Sequence, residues 1–182
     1  MIENHGLDGP VEKWCALRDK IHSEVCERGF NRRRNSFVQH YDGSELDAAL
    51  LRLPLVGFQA ADDPRIIGTV EAIQRELMEG GLVLRHRRVT GGENEGAFLA
   101  CSFWLVDCLV AMGRRGEARM LYDRSISLCN DVGLLSEEYD YNHARMLGNF
   151  PQALAHIGLI NSAFNLFHEQ KPIKVAGGLI GG

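Results

Sequence analysis

Two adjacent carboxylates stand in a connecting segment, within Leu134-Leu135-Ser136-Glu137-Glu138-Tyr139-Asp140. Charges on a helix face need no explanation, whereas three carboxylates and a tyrosine packed between helices invite one. A carboxylate in a semi-enclosed site can take a proton from water if a neighbour fixes its orientation. Successive side chains of an extended segment point to opposite faces, so only one of Glu137 and Glu138 can face a given pocket. The plain alternative is a solvated polar loop.

Two further segments carry residues of the same kind. Leu84-Arg85-His86-Arg87-Arg88 precedes Gly91-Gly92-Glu93-Asn94-Glu95-Gly96-Ala97-Phe98. An arginine at a pocket mouth can grip sugar hydroxyls or a carboxylate with its fixed fork of donors. The glycines lack the G-x-G-x-x-G spacing of a nucleotide loop. Leu147-Gly148-Asn149-Phe150-Pro151-Gln152 follows, with His156 one turn further on. A lone histidine on an apolar helix is ordinarily a hydrogen-bonded core residue. No second His or carboxylate stands at metal-ligand spacing, and no cysteine has a base beside it, so neither a metal site nor a cysteine nucleophile is expected.

The elements that must hold these loops read as six helices. The first spans about Pro10 to Glu27, with Trp14, Leu17, Ile21 and Val25 at helical spacing. The second runs from Ser44-Glu45-Leu46-Asp47 to Pro54, and the third from Asp62-Asp63-Pro64 to Met78. The fourth covers Ala97 to Met112, the fifth Arg115 to Asp131, and the sixth Pro151 to Phe167. A short hairpin is expected around Asn31 to Asn35, and Leu134 to Asn149 reads as irregular. Helices one, three and five are amphipathic, while two, four and six are apolar nearly all round and so require cover on every side. The alternation predicts an all-α architecture of two layers, three outer-and-inner hairpins at a period of roughly fifty residues. The loops entering the inner helices then open on one end, where Arg85, Glu137 and Gln152 lie. Residues 1–170 form one domain in this reading, and the Gly-rich stretch 171–182 a disordered tail.

Bulk composition excludes several classes. Of the 182 residues, 45% are hydrophobic and 24% charged, with a formal net charge of −4. That balance recruits neither nucleic acid nor an anionic membrane. Five cysteines without a C-x-x-C pair support neither a disulfide framework nor structural zinc. The most apolar stretch, Ala97 to Met112, is too short and too polar to span a bilayer. With no signal-peptide core at the N-terminus, the expectation is a cytoplasmic chain without a cofactor.

Together these segments resemble glycoside hydrolase family 15, the glucoamylase, glucodextranase and bacterial trehalase group. The resemblance is carried by Ser44-Glu45-Leu46-Asp47-Ala48, Pro54-Leu55-Val56-Gly57-Phe58, Glu93-Asn94-Glu95-Gly96-Ala97-Phe98-Leu99 with Ser102-Phe103-Trp104, Ser136-Glu137-Glu138-Tyr139-Asp140, and Leu147-Gly148-Asn149-Phe150-Pro151-Gln152-Ala153. It implies an (α/α)6 toroid, of which this chain holds about three hairpins, and hydrolysis of an α-glucoside or trehalose with inversion. Glu137 matches the family's general base and Arg85 a substrate-binding arginine. Glu95, Phe98, Glu138, Gln152 and His156 fall at matching positions near the pocket.

The family's general acid lies in earlier hairpins, in a Trp-Glu context that neither Trp14-Cys15 nor Trp104-Leu105 supplies. The sequence therefore reads as the C-terminal half of a family member, expected to self-associate or to pair with an N-terminal half. Two alternatives stand beside the enzyme: an inactive fragment retained for sugar binding or regulation, and a helical-repeat interaction module. The repeat module fits less well, because such solenoids keep a shorter period and expose their concave helices.

Overall fold

The computed structural model describes residues 9–87 and 96–168. From its N-terminus, helix α1 (Val11–Arg28) leads into a small hairpin of β1 (Phe30–Asn31) and β2 (Ser36–Phe37). A 3-10 turn (Ala48–Leu51) continues as the single-turn helix α2 (Arg52–Leu55), and α3 (Pro64–Leu77) follows. A second hairpin joins β3 (Met78–Glu79) to β4 (Leu82–Val83). Beyond it lie β5 (Ala97–Phe98), α4 (Leu99–Ala111), α5 (Arg115–Ile126), β6 (Glu138–Asp140), β7 (Arg145–Leu147) and α6 (Ala153–Phe167).

The core forms around α4. Eleven of its thirteen residues are buried, Phe103 and Leu105 completely, as a helix without a polar face requires. Helices α5 and α6 pack on it, and the 3-10 turn and β4 cover its other sides. Its few polar groups serve as ties. Ser102 Oγ accepts the Val83 N–H at 3.0 Å, Cys108 Sγ donates to the Leu51 carbonyl at 3.0 Å, and the Phe103 carbonyl accepts Ser162 Oγ–H at 3.1 Å. The crossing with α6 is close because of Gly158, where a Cβ would stand 3.0 Å from Phe103 Cβ.

The outer helices α3 and α5 behave as their amphipathic patterns predict. Asp63 caps α3 and Pro64 opens it, and Ile66, Val70, Ile73 and Leu77 form its buried stripe. Helix α5 buries Ala118, Leu121, Tyr122 and Ser125. It stops at Ile126 instead of Asp131, because Asn130 Oδ1 accepts the N–H groups of Val132 and Leu134 and turns the chain there.

Three other expectations are corrected. The second helix is only the 3-10 turn and one α-turn: Asp47 caps it through the Ala49 N–H at 2.7 Å, and Gly57, at φ 74°, turns the chain just beyond. The stretch 134–149 is not irregular but carries the hairpin β6–β7, which joins β5 in a three-stranded antiparallel sheet. Strands of three residues are too short to show alternation. Helix α6 is not covered on all sides, since only Ala155, Gly158, Ser162 and Leu166 are buried. Leu154, Ile157, Ile160 and Phe164 form an exposed stripe, and so do Trp14, Leu17 and Ile21 on α1, which buries none of its residues.

Candidate functional site

The short sheet at the entrance to α4 positions the carboxylates. Glu137 lies just before β6 and is pinned by its backbone on both sides. Its carbonyl accepts the Leu99 N–H at 3.0 Å, and its N–H donates to the Asn149 carbonyl at 2.9 Å. The side chain turns toward the same loop, where Oε2 accepts Asn149 Nδ2–H at 2.8 Å and the Asn149 N–H at 3.1 Å. Gly148 makes this approach possible. Its φ of 72° is left-handed, and a Cβ there would stand 2.9 Å from both Cβ and Oε2 of Glu137.

Glu138 takes the opposite face, as strand geometry demands. Its Oε2 accepts the Gly96 N–H at 3.0 Å, and it stands opposite Phe98 on one side and Leu147 on the other. Phe98 sets its ring edge-on to Trp104 at 6.4 Å, and the Arg52 guanidinium lies 5.2 Å over the Trp104 ring. Arg85 belongs to the adjoining strip. Its carbonyl accepts the Ala48 N–H at 2.7 Å, and its Nε stands 3.8 Å from Asp47 Oδ2 with the side chain 60% exposed.

Gln152 and His156 fasten α6 to this end of the molecule. The Gln152 N–H donates to the Leu135 carbonyl at 2.9 Å, and its Oε1 caps α6 through the Leu154 N–H at 3.3 Å. His156 spends both ring nitrogens on protein: Nδ1 bonds the Gln152 carbonyl at 2.7 Å, which leaves Nε2 to accept the Leu135 N–H at 3.3 Å. Asp140 serves the hairpin turn, its Oδ1 accepting the N–H groups of Asn142 and His143. The His143 imidazole, 2.7 Å from Oδ2, holds the Asp140 carboxyl below the usual carboxylate range. Glu95 lies outside the described residues.

Of the candidates, the structure gathers Glu137, Glu138, Phe98, Gln152 and His156 around one sheet and the two helix starts beside it. Arg85 joins them through Asp47, the 3-10 turn, Arg52 and Trp104. Arg52 was not singled out by sequence, and Trp104 and Asn149 entered only as members of longer segments, Trp104 as a packing residue. For Asn149 the available signal was its place beside Gly148 in the segment that also holds Gln152. The arrangement offers a half-buried carboxylate with one oxygen committed to two donors, and, on the Glu138 side of the same sheet, an aromatic and guanidinium surface of Phe98, Trp104 and Arg52. Among the described residues no group of three or more His, Cys, Asp or Glu could hold a metal ion. Nor is any helix among them long and apolar enough to cross a membrane.

The fold is of the helical-hairpin toroid kind. The chain belongs to the glycosyl hydrolases family 15, whose family model matches residues 1–164. The trehalase of Thermoplasma volcanium is 42% identical over 165 residues, covering 90% of this chain and 26% of that protein. The trehalase of Mycobacterium tuberculosis is 39% identical over 182 residues, covering 97% of this chain and again 26% of the relative. The chain thus spans about a quarter of the length of these curated relatives. Among solved structures, a wild-type glycosidase superposes with a TM-score of 0.71 at 22% identity, covering 84% of this chain and 43% of that one. A variant of a glycosidase in complex with glucose gives 0.70. These likenesses establish the fold: an all-α chain of (α/α)-toroid type, with about three hairpins of the ring.

Proposed function

We propose that this chain is the general-base portion of an inverting glycosidase acting on α-glucosidic bonds, with trehalose the first substrate to test. The observation that carries the reading is Glu137: a half-buried carboxylate at the entrance to α4, anchored by backbone on both sides and oriented by two donors on one oxygen. In this mechanism Glu137 removes a proton from a water molecule. The water oxygen bonds to the anomeric carbon as the glycosidic C–O bond breaks, and a second carboxylic acid protonates the departing oxygen. Inversion asks that the two carboxyls stand roughly 6.5–9.5 Å apart to admit the water. The acid belongs to hairpins beyond these three, and the exposed apolar stripes on α1 and α6 are the faces such hairpins cover. Arg85 binds the sugar at the cleavage point, while Glu138, on the opposite face and paired with Phe98, braces the sheet beside Glu137. Gln152 and His156 hold the α6 entrance in place, and Glu95 stands at a matching position in the family's pocket. That the curated relatives are trehalases supports testing trehalose ahead of longer glucans.

The test is glucose release from trehalose and from maltose by the protein that carries this chain, as wild type and as Glu137→Gln. The variant keeps the shape and removes the base, so turnover should fall by roughly 10² to 10⁴. Unchanged turnover would place the base elsewhere, with Glu138 the first residue to examine.

A further inference from the structure

We infer that Asn149 is a positioning residue for Glu137, setting the plane of its carboxylate so that one oxygen alone faces the attacking water; the inference rests on the general-base reading above. Terminal carboxylate torsions are broad and nearly two-fold, so a glutamate held through a single hydrogen bond still rocks and flips. Here two donors from one residue converge on the same oxygen. Asn149 Nδ2 lies 2.8 Å and the Asn149 backbone nitrogen 3.1 Å from Glu137 Oε2. Two N–H directions fix both the place of Oε2 and the tilt of the group, and they leave Oε1 to accept the proton.

Among the described residues the side chain of Asn149 has no comparable structural task. Its residue is exposed, so it fills no core space. The tie between its loop and the strand before β6 is made by its carbonyl, which accepts the Glu137 N–H at 2.9 Å whatever the side chain is. Gly148 gives the reason both donors can reach. Its left-handed φ of 72° turns the chain so that the following residue presents N–H and side chain to one atom, and its missing Cβ leaves room for the carboxylate. Glycine followed by asparagine is thus a carboxylate clamp rather than a turn signal alone.

Two variants separate positioning from folding. Asn149→Ala deletes the side-chain donor and keeps the backbone N–H; Asn149→Asp keeps the shape and sets an acceptor against an acceptor. In trehalose hydrolysis by the protein carrying this chain, Asn149→Ala should lower kcat about 10- to 100-fold, the scale of an ångström of misplacement. KM should stay within roughly threefold of wild type, since a group that orients the base does not grip the sugar. Asn149→Asp should lose at least as much kcat, with thermal melting of both variants close to wild type. A crystal structure of Asn149→Ala should show the Glu137 carboxylate rotated away from its place. A wild-type kcat in Asn149→Ala, a loss confined to KM, or a carboxylate that keeps its place each overturns the assignment. Glu137→Gln in the same assay distinguishes the two claims. If it is inactive while Asn149→Ala is normal, only the positioning role falls; if it is fully active, the base reading falls and this role with it.

Discussion

Helices α4 and α6 are nearly interchangeable as sequences, yet the structure treats them oppositely. Leu99–Ala111 and Ala153–Phe167 both run through aliphatic and aromatic residues with little polar interruption. The first is buried on every side. The second buries one narrow stripe of small residues, Ala155, Gly158 and Ser162, with Leu166 at its end, and leaves Ile160 63% and Phe164 58% exposed. The difference lies in the neighbours. Among the described residues, helix α4 has α5, α6, the 3-10 turn and β4 around it, whereas α6 packs chiefly on α4 and α5. An apolar helix states a demand for cover, and the chain present decides whether the demand is met. The same holds at the other end, where Trp14, Leu17 and Ile21 of α1 stay in solvent.

The contrast can be broken most forcefully at Phe103. This ring is completely buried, meets Tyr122 edge-on at 6.3 Å and faces Gly158 across the helix crossing. Phe103→Ala removes that packing and leaves a cavity which the crowded helix crossing can fill only in part. Equilibrium urea unfolding should show a loss of about 3–5 kcal/mol. A loss near 1 kcal/mol would mean that α4 is no better covered than α6 and would undo the comparison.

What was legible in the sequence follows the same division. The helix starts at Val11, Pro64 and Arg115 fell where capping and periodicity put them, because caps and stripes are local. The full burial of α4 was legible because its neighbours all lie within the chain. The β5–β6–β7 sheet was not, since strands of two and three residues depend on pairing across about forty positions of sequence. The residue pair Glu137 and Glu138 stood out by type, and resemblance then chose Glu137 as the proposed base. Its partner Asn149 was hidden because an asparagine after a glycine reads first as a turn, and its contact spans twelve residues.

A subtler difference concerns the one carboxyl between the two helices. Asp107 of α4 is 9% exposed, and its Oδ1 accepts Asn165 Nδ2–H from α6 at 3.1 Å. Burial pushes this carboxyl up from its ordinary value, and the hydrogen bonds to Asn165 and Ser162 only partly oppose that. In the folded chain the proton is therefore held more tightly than in the unfolded one. Stability is greatest below the ordinary carboxylate value of about 4 and falls as pH rises from there through the raised folded value. Asp107→Asn keeps an acceptor for Asn165 and carries no charge. Urea midpoints should then match wild type in acid and exceed it at neutral pH, the gap opening above about pH 4. A gap of the same size at every pH would assign the effect to packing instead.

The smallest expected effect is the sharpest statement about α6. Ile160 sits in the middle of its exposed stripe at 63% exposure. Substitution there removes little apolar surface from contact, because that surface already meets water in the unfolded and the folded chain alike. Ile160→Ser should therefore shift the unfolding free energy of this chain by no more than about 0.5 kcal/mol, measured in dilute solution beside Phe103→Ala. Serine's slightly poorer helix propensity lies within that margin. The same substitution in the protein that carries this chain makes the informative contrast. If further hairpins of the toroid cover the stripe, Ile160 is core there, and the loss should rise to the roughly 2–5 kcal/mol of a buried truncation. A large loss already in the isolated chain would show that a second copy covers α6 in solution, and light scattering would then record a dimer that Ile160→Ser dissociates.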